Sequence, residues 1–146
     1  DGNPSLEASF FSVSTVELAS PEDSAKDYET ILKNNFDADP PNFDLILLGL
    51  GDDGHTASLF PGSDALFERN SLITVGEGKG LKRITFTSKL LSSADKVVFL
   101  ISGTAKQTAL KRLLDHSESW ERTPAKLVSP NSEIIILADK GAYPFF

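Results

Sequence analysis

Hydrophobic residues along this chain follow two different periods. Short runs rich in Ile, Val, Leu and Phe occupy residues 10–16, 43–50, 84–87, 96–102 and 133–138, each of a length suited to a β-strand. Several are apolar at successive positions, the pattern of parallel strands covered on both faces. Two stretches repeat at helical spacing instead. In SPEDSAKDYETILKNNF, Ser20 stands at the N-cap, Pro21 at the first helical position and acids in the first turn, while Ala25, Tyr28, Ile31 and Leu32 share one face. In TAKQTALKRLLDH, Ala105, Ala109, Leu113 and Leu114 oppose Lys106, Gln107, Lys111 and Arg112. DADPPNF and TVGEGKG read as loops from their Pro and Gly content. Strands alternating with helices predict an α/β fold with a largely parallel sheet flanked by helices. No repeat, low-complexity segment or internal linker breaks the chain, so residues 1–146 are expected to form one domain.

Composition narrows the possible functions. A length of 146 residues with 40% hydrophobic content is enough for a buried core. No apolar run reaches membrane-spanning length and no basic-then-apolar leader opens the chain, so no membrane partner is expected. The absence of cysteine excludes disulfides, thiolate metal sites and a cysteine nucleophile, and fits a reducing, cytoplasmic location. The net charge of -7 argues against nucleic acid as a partner. It also means that any anionic ligand must be captured by a few local cations and amides, not by the overall field. Methionine is absent and the first residues, DGNPSLEAS, have loop composition, so a piece of a longer chain is expected.

Candidate chemistry concentrates in LILLGLGDDGHTASLFPG, residues 45–62, where Gly49, Gly51 and Gly54 give a G-x-G-x-x-G spacing after an apolar strand. A dinucleotide site would need a helix of several turns after the third glycine and an acid about 20 residues further on. Pro61 and Gly62 leave room for little more than one turn, and Asp52 and Asp53 would face a pyrophosphate. What remains is a strand end, a glycine turn, an acid and the imidazole of His55, placed where open α/β sheets bind ligands. An imidazole can take and return a proton near neutrality, which suits His55 to general acid-base work; hydrogen bonding within the turn is the alternative. Asp53 can orient His55, bind a substrate hydroxyl, or cap a short helix. His116, the other histidine, ends a basic helix and reads as solvated. Ser58 lacks the G-x-S-x-G elbow of a nucleophile. Downstream, VVFLISGTAKQTAL sets a Ser102-Gly103-Thr104 turn and Lys106 at a helix start, either an anion site or a plain strand-to-helix turn. Arg83, opening RITFT, reads by itself as a surface strand residue. Two distant histidines and no cysteine give no usual metal set, so neither metal nor cofactor is expected.

Taken together, FDLILLGLGDDGHTASLFPGS closely resembles the 6-phosphogluconolactonase signature, and RITFT, SGTAKQTAL, PAKLV and IIILAD follow in matching order. The resemblance implies a modified Rossmann-like α/β fold shared with glucosamine-6-phosphate deaminases. It implies His55 as catalytic base, Asp53 as the motif aspartate with Asp52 at the variable position, and Arg83 and Lys106 as phosphate-binding cations. Read from the residues themselves, backbone amides near Gly51 and Gly54 are candidates to stabilise an oxyanion, and Gly103 stands in the candidate anion-binding turn. The implied reaction is cofactor-free hydrolysis of 6-phospho-D-glucono-1,5-lactone to 6-phosphogluconate in the oxidative pentose phosphate pathway, with the phosphosugar lactone as small-molecule partner and the oligomeric state left open. The early Gly-Gly-Ser loop and Asp-Glu-Arg segment of that family have no equivalent here, so a C-terminal portion of the family fold is expected. Two rival readings are a sugar-phosphate isomerase or deaminase and a non-catalytic sugar-phosphate-binding domain. The first continues after its histidine with Phe-Asn-Glu-Pro, where this chain has Leu59, Phe60 and Pro61, and the second has no use for an unhindered His55.

Overall fold

The computed structural model describes residues 9–14, 17–130 and 132–144. Strands β1 (Leu45–Gly49), β4 (Lys96–Ile101) and β5 (Glu133–Ala138) form a parallel sheet in the order β1-β4-β5, with Leu48, Phe99 and Ile136 in register. Strands β2 (Ile73–Gly78) and β3 (Leu81–Phe86) pair antiparallel as a separate hairpin. Helices α1 (Pro21–Asn35), α2 (Ser88–Ser92) and α3 (Gln107–Leu114) complete the regular elements, with short 3-10 turns at Asp64–Phe67, Thr104–Lys106 and Pro124–Leu127. The expected mixed α/β architecture with a mostly parallel sheet is therefore present. Among the described residues no helix is long and apolar enough to cross a membrane.

Four sequence expectations are corrected. The described part of the first expected strand, residues 10–14, carries no strand, and residues 15–16 lie outside the described residues. TVGEGKG, read as a loop from its glycines, is instead β2 and its turn. Gly76 and Gly78 are there because other groups lie against them: a Cβ on Gly76 would overlap the Ser58 carbonyl oxygen, and one on Gly78 would overlap the Phe60 ring. Only Lys79-Gly80 turns the chain, with φ of 56° and 74°, the double left-handed geometry of a two-residue hairpin turn. The apolar face of α3 also differs, since Ala109 and Leu110 are buried whereas Ala105 and Leu114 are exposed. Finally, the described residues cover the second face of the parallel sheet only in part, at Val98. Val97, Phe99, Ile101 and Leu48 pack into the main core, but on the opposite face Leu47 remains 60% exposed and Leu137 55% exposed.

The main core joins the buried sheet face to Ala109 and Leu110 of α3 and to Leu59, Leu66 and Ala125 from the connections. A second core packs Ala25 and Leu32 of α1 against Leu72, Ile73 and Leu90. Phe43 and Phe86 adjoin both, with ring centroids 6.0 Å apart. Helix α1 starts as expected: the Ser20 hydroxyl accepts from Asp23 N at 3.1 Å, and Pro21 leads the first turn.

Glu29 fastens α1 to the hairpin. Its carboxylate accepts from Lys33 Nζ and from the backbone amides of Leu72 at 2.8 Å and Ile73 at 3.2 Å. Burial pushes this carboxyl up, but those bonds and the lysine charge outweigh it and hold it below its ordinary value. A carboxyl lowered by folding stabilises the protein fully above its unfolded value, and that stability is lost as pH falls through the folded value. Glu29→Gln is accordingly expected to cost about 1 to 3 kcal/mol near neutrality and to flatten the acid limb of the stability profile. Thermal melts from pH 7 down to about pH 3 check this. Parallel acid limbs for both proteins would remove Glu29 from the acid response.

Candidate active site

The carboxyl edge of the parallel sheet gathers the chemistry. Adjacent strands β1 and β4 point the same way, so the segment leaving Gly49 and the one leaving Ile101 emerge side by side, about 5 Å apart. The first carries Asp52, Asp53 and His55, and the second Lys106.

Local hydrogen bonds shape the first segment. Gly51 N donates to the His55 carbonyl at 2.8 Å and Gly54 N donates to the Gly51 carbonyl at 3.0 Å. Gly54 adopts φ of 93° and lies against Thr123, while the amide of Ala125 donates to its carbonyl at 3.0 Å. Thr56, buried, donates its hydroxyl to the Gly49 carbonyl at 2.8 Å and so ties the segment back to β1. No helix follows Gly54. Thr56 and Leu59 bridge across a tight turn, and Leu59 is fully buried as its anchor. Asp53 therefore caps no helix. Its Oδ1 accepts from the His55 backbone N–H at 3.0 Å and meets the His55 ring at Nδ1, 2.5 Å away.

That double contact sets both groups. Burial pushes the Asp53 carboxyl up, but the two hydrogen bonds from His55, with the Lys79 charge adding a little, outweigh it and hold it low. An anionic Asp53 keeps the ring proton on Nδ1, which leaves the Nε2 lone pair as the acceptor. Gly51 makes this possible, because a Cβ there would overlap the imidazole and stand 2.7 Å from Asp53 Oδ1. The ring also packs on Phe60, with centroids 4.2 Å apart.

His55 opens into a cleft of about 390 Å³ lined also by Gly51, Asp52, Lys79 and Lys106. Four of the expected site positions thus sit with or beside one another: His55, Asp53, Gly51 and Lys106. Arg83 does not line this cleft. It borders a neighbouring cavity with Val13, Ser20 and Ile84, and its guanidinium lies 5.8 Å from the centre of the Phe60 ring. Phe60 thus stands between His55 and Arg83. Gly103, with φ of 94°, caps the turn before α3, and its amide donates to both oxygens of Asp139 at 3.1 Å. The Asp139 carboxylate also accepts from Ser102 Oγ at 2.6 Å and Ala142 N at 2.7 Å, and these bonds hold it below its ordinary value. The amides of Gly51, Gly54 and Gly103 are therefore engaged inside the protein, and these glycines shape turns in place of donating to a ligand. His116 is exposed after α3, as expected, and Ser58 does not line the cleft. A larger apolar groove of about 810 Å³ runs along Leu100, Leu110, Leu114 and Leu137, away from His55.

Two residues here were not singled out from the sequence, Phe60 and Lys79. Phe60 looked like inert apolar filling, and Lys79 stood inside a supposed loop. A Lys-Gly pair between short apolar runs was the available sign of a hairpin tip.

Comparisons with known proteins bear on the family and the fold. A family model described as glucosamine-6-phosphate isomerases/6-phosphogluconolactonase matches residues 3–137. The chain is 46% identical over 127 residues to a 6-phosphogluconolactonase of Synechocystis sp., covering 85% of this chain and 53% of that protein. A solved structure of 6-phosphogluconolactonase from Trypanosoma brucei superposes with a TM-score of 0.73 at 27% identity, covering 84% of this chain and 52% of that one. A monomeric glucosamine-6-phosphate deaminase shares the fold with a TM-score of 0.70 at 23% identity, covering 89% of this chain and 57% of that one. The chain spans about half the length of the curated relatives it matches.

Proposed function

The chain belongs to the glucosamine-6-phosphate isomerase/6-phosphogluconolactonase family, and we propose that it hydrolyses 6-phospho-D-glucono-1,5-lactone to 6-phosphogluconate with water activated by His55. The observation that carries this reading is the contact of Asp53 Oδ1 with both the backbone amide and Nδ1 of His55, in a cleft shared with two lysines. In this reading Asp53 keeps the proton on Nδ1 and Nε2 takes one from water as the water oxygen attacks C1. The carbonyl electron pair moves onto its oxygen. Collapse restores the carbonyl and breaks the bond from C1 to the ring oxygen, which receives the proton back from Nε2. General acid-base help of this kind is worth about 10² to 10⁴-fold, roughly 3 to 5 kcal/mol of barrier. The lactone carbonyl is electrophilic enough that the steps use only the side chains present.

Leu59 is buried and Phe60 lies on the His55 ring, whereas the deaminase pattern places a carboxylate just after the histidine. This favours hydrolysis over amino-sugar isomerisation. We place the activity in the oxidative pentose phosphate pathway, and the protein in the cytoplasm as a single functional unit without nucleic-acid partners. Lys106, on the cleft wall, holds the substrate phosphate, and the family resemblance adds Arg83 as a second cation although it borders the separate cavity across Phe60.

The reading is tested on two substrates. The protein is expected to accelerate opening of the phosphorylated lactone above its spontaneous rate. Lys106→Ala and Arg83→Ala are each expected to lower kcat/KM for that substrate by about 10- to 150-fold, the worth of a charge-assisted contact, while changing the slower reaction of unphosphorylated gluconolactone little. Stopped assays scored by the acid released, after subtraction of spontaneous hydrolysis, measure both. Equal losses on the two lactones would assign these cations to the fold.

A further inference from the structure

Lysine is a poor choice for the position it holds at residue 79. It forms the tip of the hairpin with Gly80 in left-handed backbone, φ 56°, where asparagine, aspartate or glycine is favoured. Among the described residues its side chain makes no ion pair or hydrogen bond. It lines the catalytic cleft, and its charge is felt by Asp53. The hairpin tip therefore borders the same cleft that His55 and Asp52 line, where the carbonyl would react.

The glycine amides nearest that end are not free to meet the charge that forms there. Addition of water to C1 puts a negative charge on the former carbonyl oxygen, and donors aimed at such an oxygen are commonly the largest single contribution to acyl transfer. The amides of Gly51 and Gly54 are already donated within the turn, and the amide of Gly103 to Asp139. Asp52 and Asp53 at the same end would repel the new charge. A cation there would stabilise that charge, and the hairpin tip supplies one.

We propose that Lys79 is a catalytic residue of this site, its ammonium donating to the oxygen that becomes negative as water adds to C1. The proposal rests on the lactonase reading. Lys79 forms no covalent bond and keeps its proton. The carbonyl electron pair moves onto the oxygen beside the ammonium during addition and returns when the ring bond breaks, and the product leaves with its C1 carboxylate at the same cation.

The test uses Lys79→Asn, which suits the turn better than lysine, together with Lys79→Arg, which keeps the charge. Lys79→Asn is expected to melt at the same temperature as the wild type or higher, yet to lose kcat on the order of 10²-fold on both the phosphorylated and the unphosphorylated lactone. Lys79→Arg is expected to keep most of the activity. A loss confined to the phosphorylated lactone would make Lys79 a phosphate cation and overturn the proposal, as would a change in kcat below about threefold. Should Lys79→Asn melt lower than the wild type, Lys79→Gly, equally suited to the turn, takes its place under the same criteria. A binding measurement separates this proposal from the lactonase reading. By calorimetry, the wild type is expected to prefer 6-phosphogluconate over glucitol 6-phosphate, which differs only in lacking the C1 carboxylate, and Lys79→Asn is expected to lose that preference. A wild type inert on the lactone that still shows the Lys79-dependent preference would sink the lactonase reading while leaving Lys79 at the C1 end. Absence of the preference, or its survival in Lys79→Asn, would overturn the role of Lys79.

Discussion

Replacing His55 by asparagine is expected to lower kcat for the phosphorylated lactone by about 10² to 10⁴-fold while changing KM far less. Asparagine retains a polar group that can donate toward Asp53 but has no basic nitrogen to take a proton from water or return it to the ring oxygen. The loss should therefore fall on the transition state and leave ground-state binding, proposed above to rest on the phosphate cations, largely intact. His55 is only partly buried and its imidazole supports no core cluster, so the variant should melt close to the wild type. Spontaneous lactone opening must be measured in parallel, since it sets the floor of the assay. Turnover near the wild-type rate would take His55 out of the mechanism.

Gly51→Ala is expected to have a comparable effect through geometry alone. The added methyl would overlap the His55 imidazole and stand 2.7 Å from Asp53 Oδ1, so the ring must swing away from the carboxylate that orients it. Misplacing a catalytic group by about an ångström can cost on the order of 10²-fold. The left-handed strain that makes many glycine substitutions ambiguous is found at Gly54 but not at Gly51, so the change reports on the imidazole and not on the backbone. Gly49→Ala, where a Cβ meets nothing within 4 Å, is the matched control and should retain wild-type turnover. If Gly51→Ala turns over as fast as Gly49→Ala, the Asp53–His55 contact is not needed for catalysis.

The sequence by itself determined those parts of the molecule whose signals are local. The N-cap Ser20 and the helical repeat of Ala25 and Leu32 place α1, and the unbroken apolar runs place β1, β4 and β5 to within two residues at either end. A strand end followed by two glycines, two acids and a histidine places His55 at the carboxyl edge of the sheet, because a parallel sheet leaves only that edge for the turn. Tertiary structure decided what depends on residues distant in the chain. Gly76 and Gly78 look like loop glycines until the Ser58 carbonyl and the Phe60 ring are seen lying against them, which is why β2 was read as a loop. The amides of Gly51, Gly54 and Gly103 look free until the turn and Asp139 take them up. Lys79 reaches the cleft only because the hairpin packs on Phe60, and Arg83 faces another cavity for the same reason. Hydrophobic period records which side of an element avoids water. It carries no record of which partner arrives there, and at this site the partners decide which amides are spent, which cations face His55 and where the imidazole points.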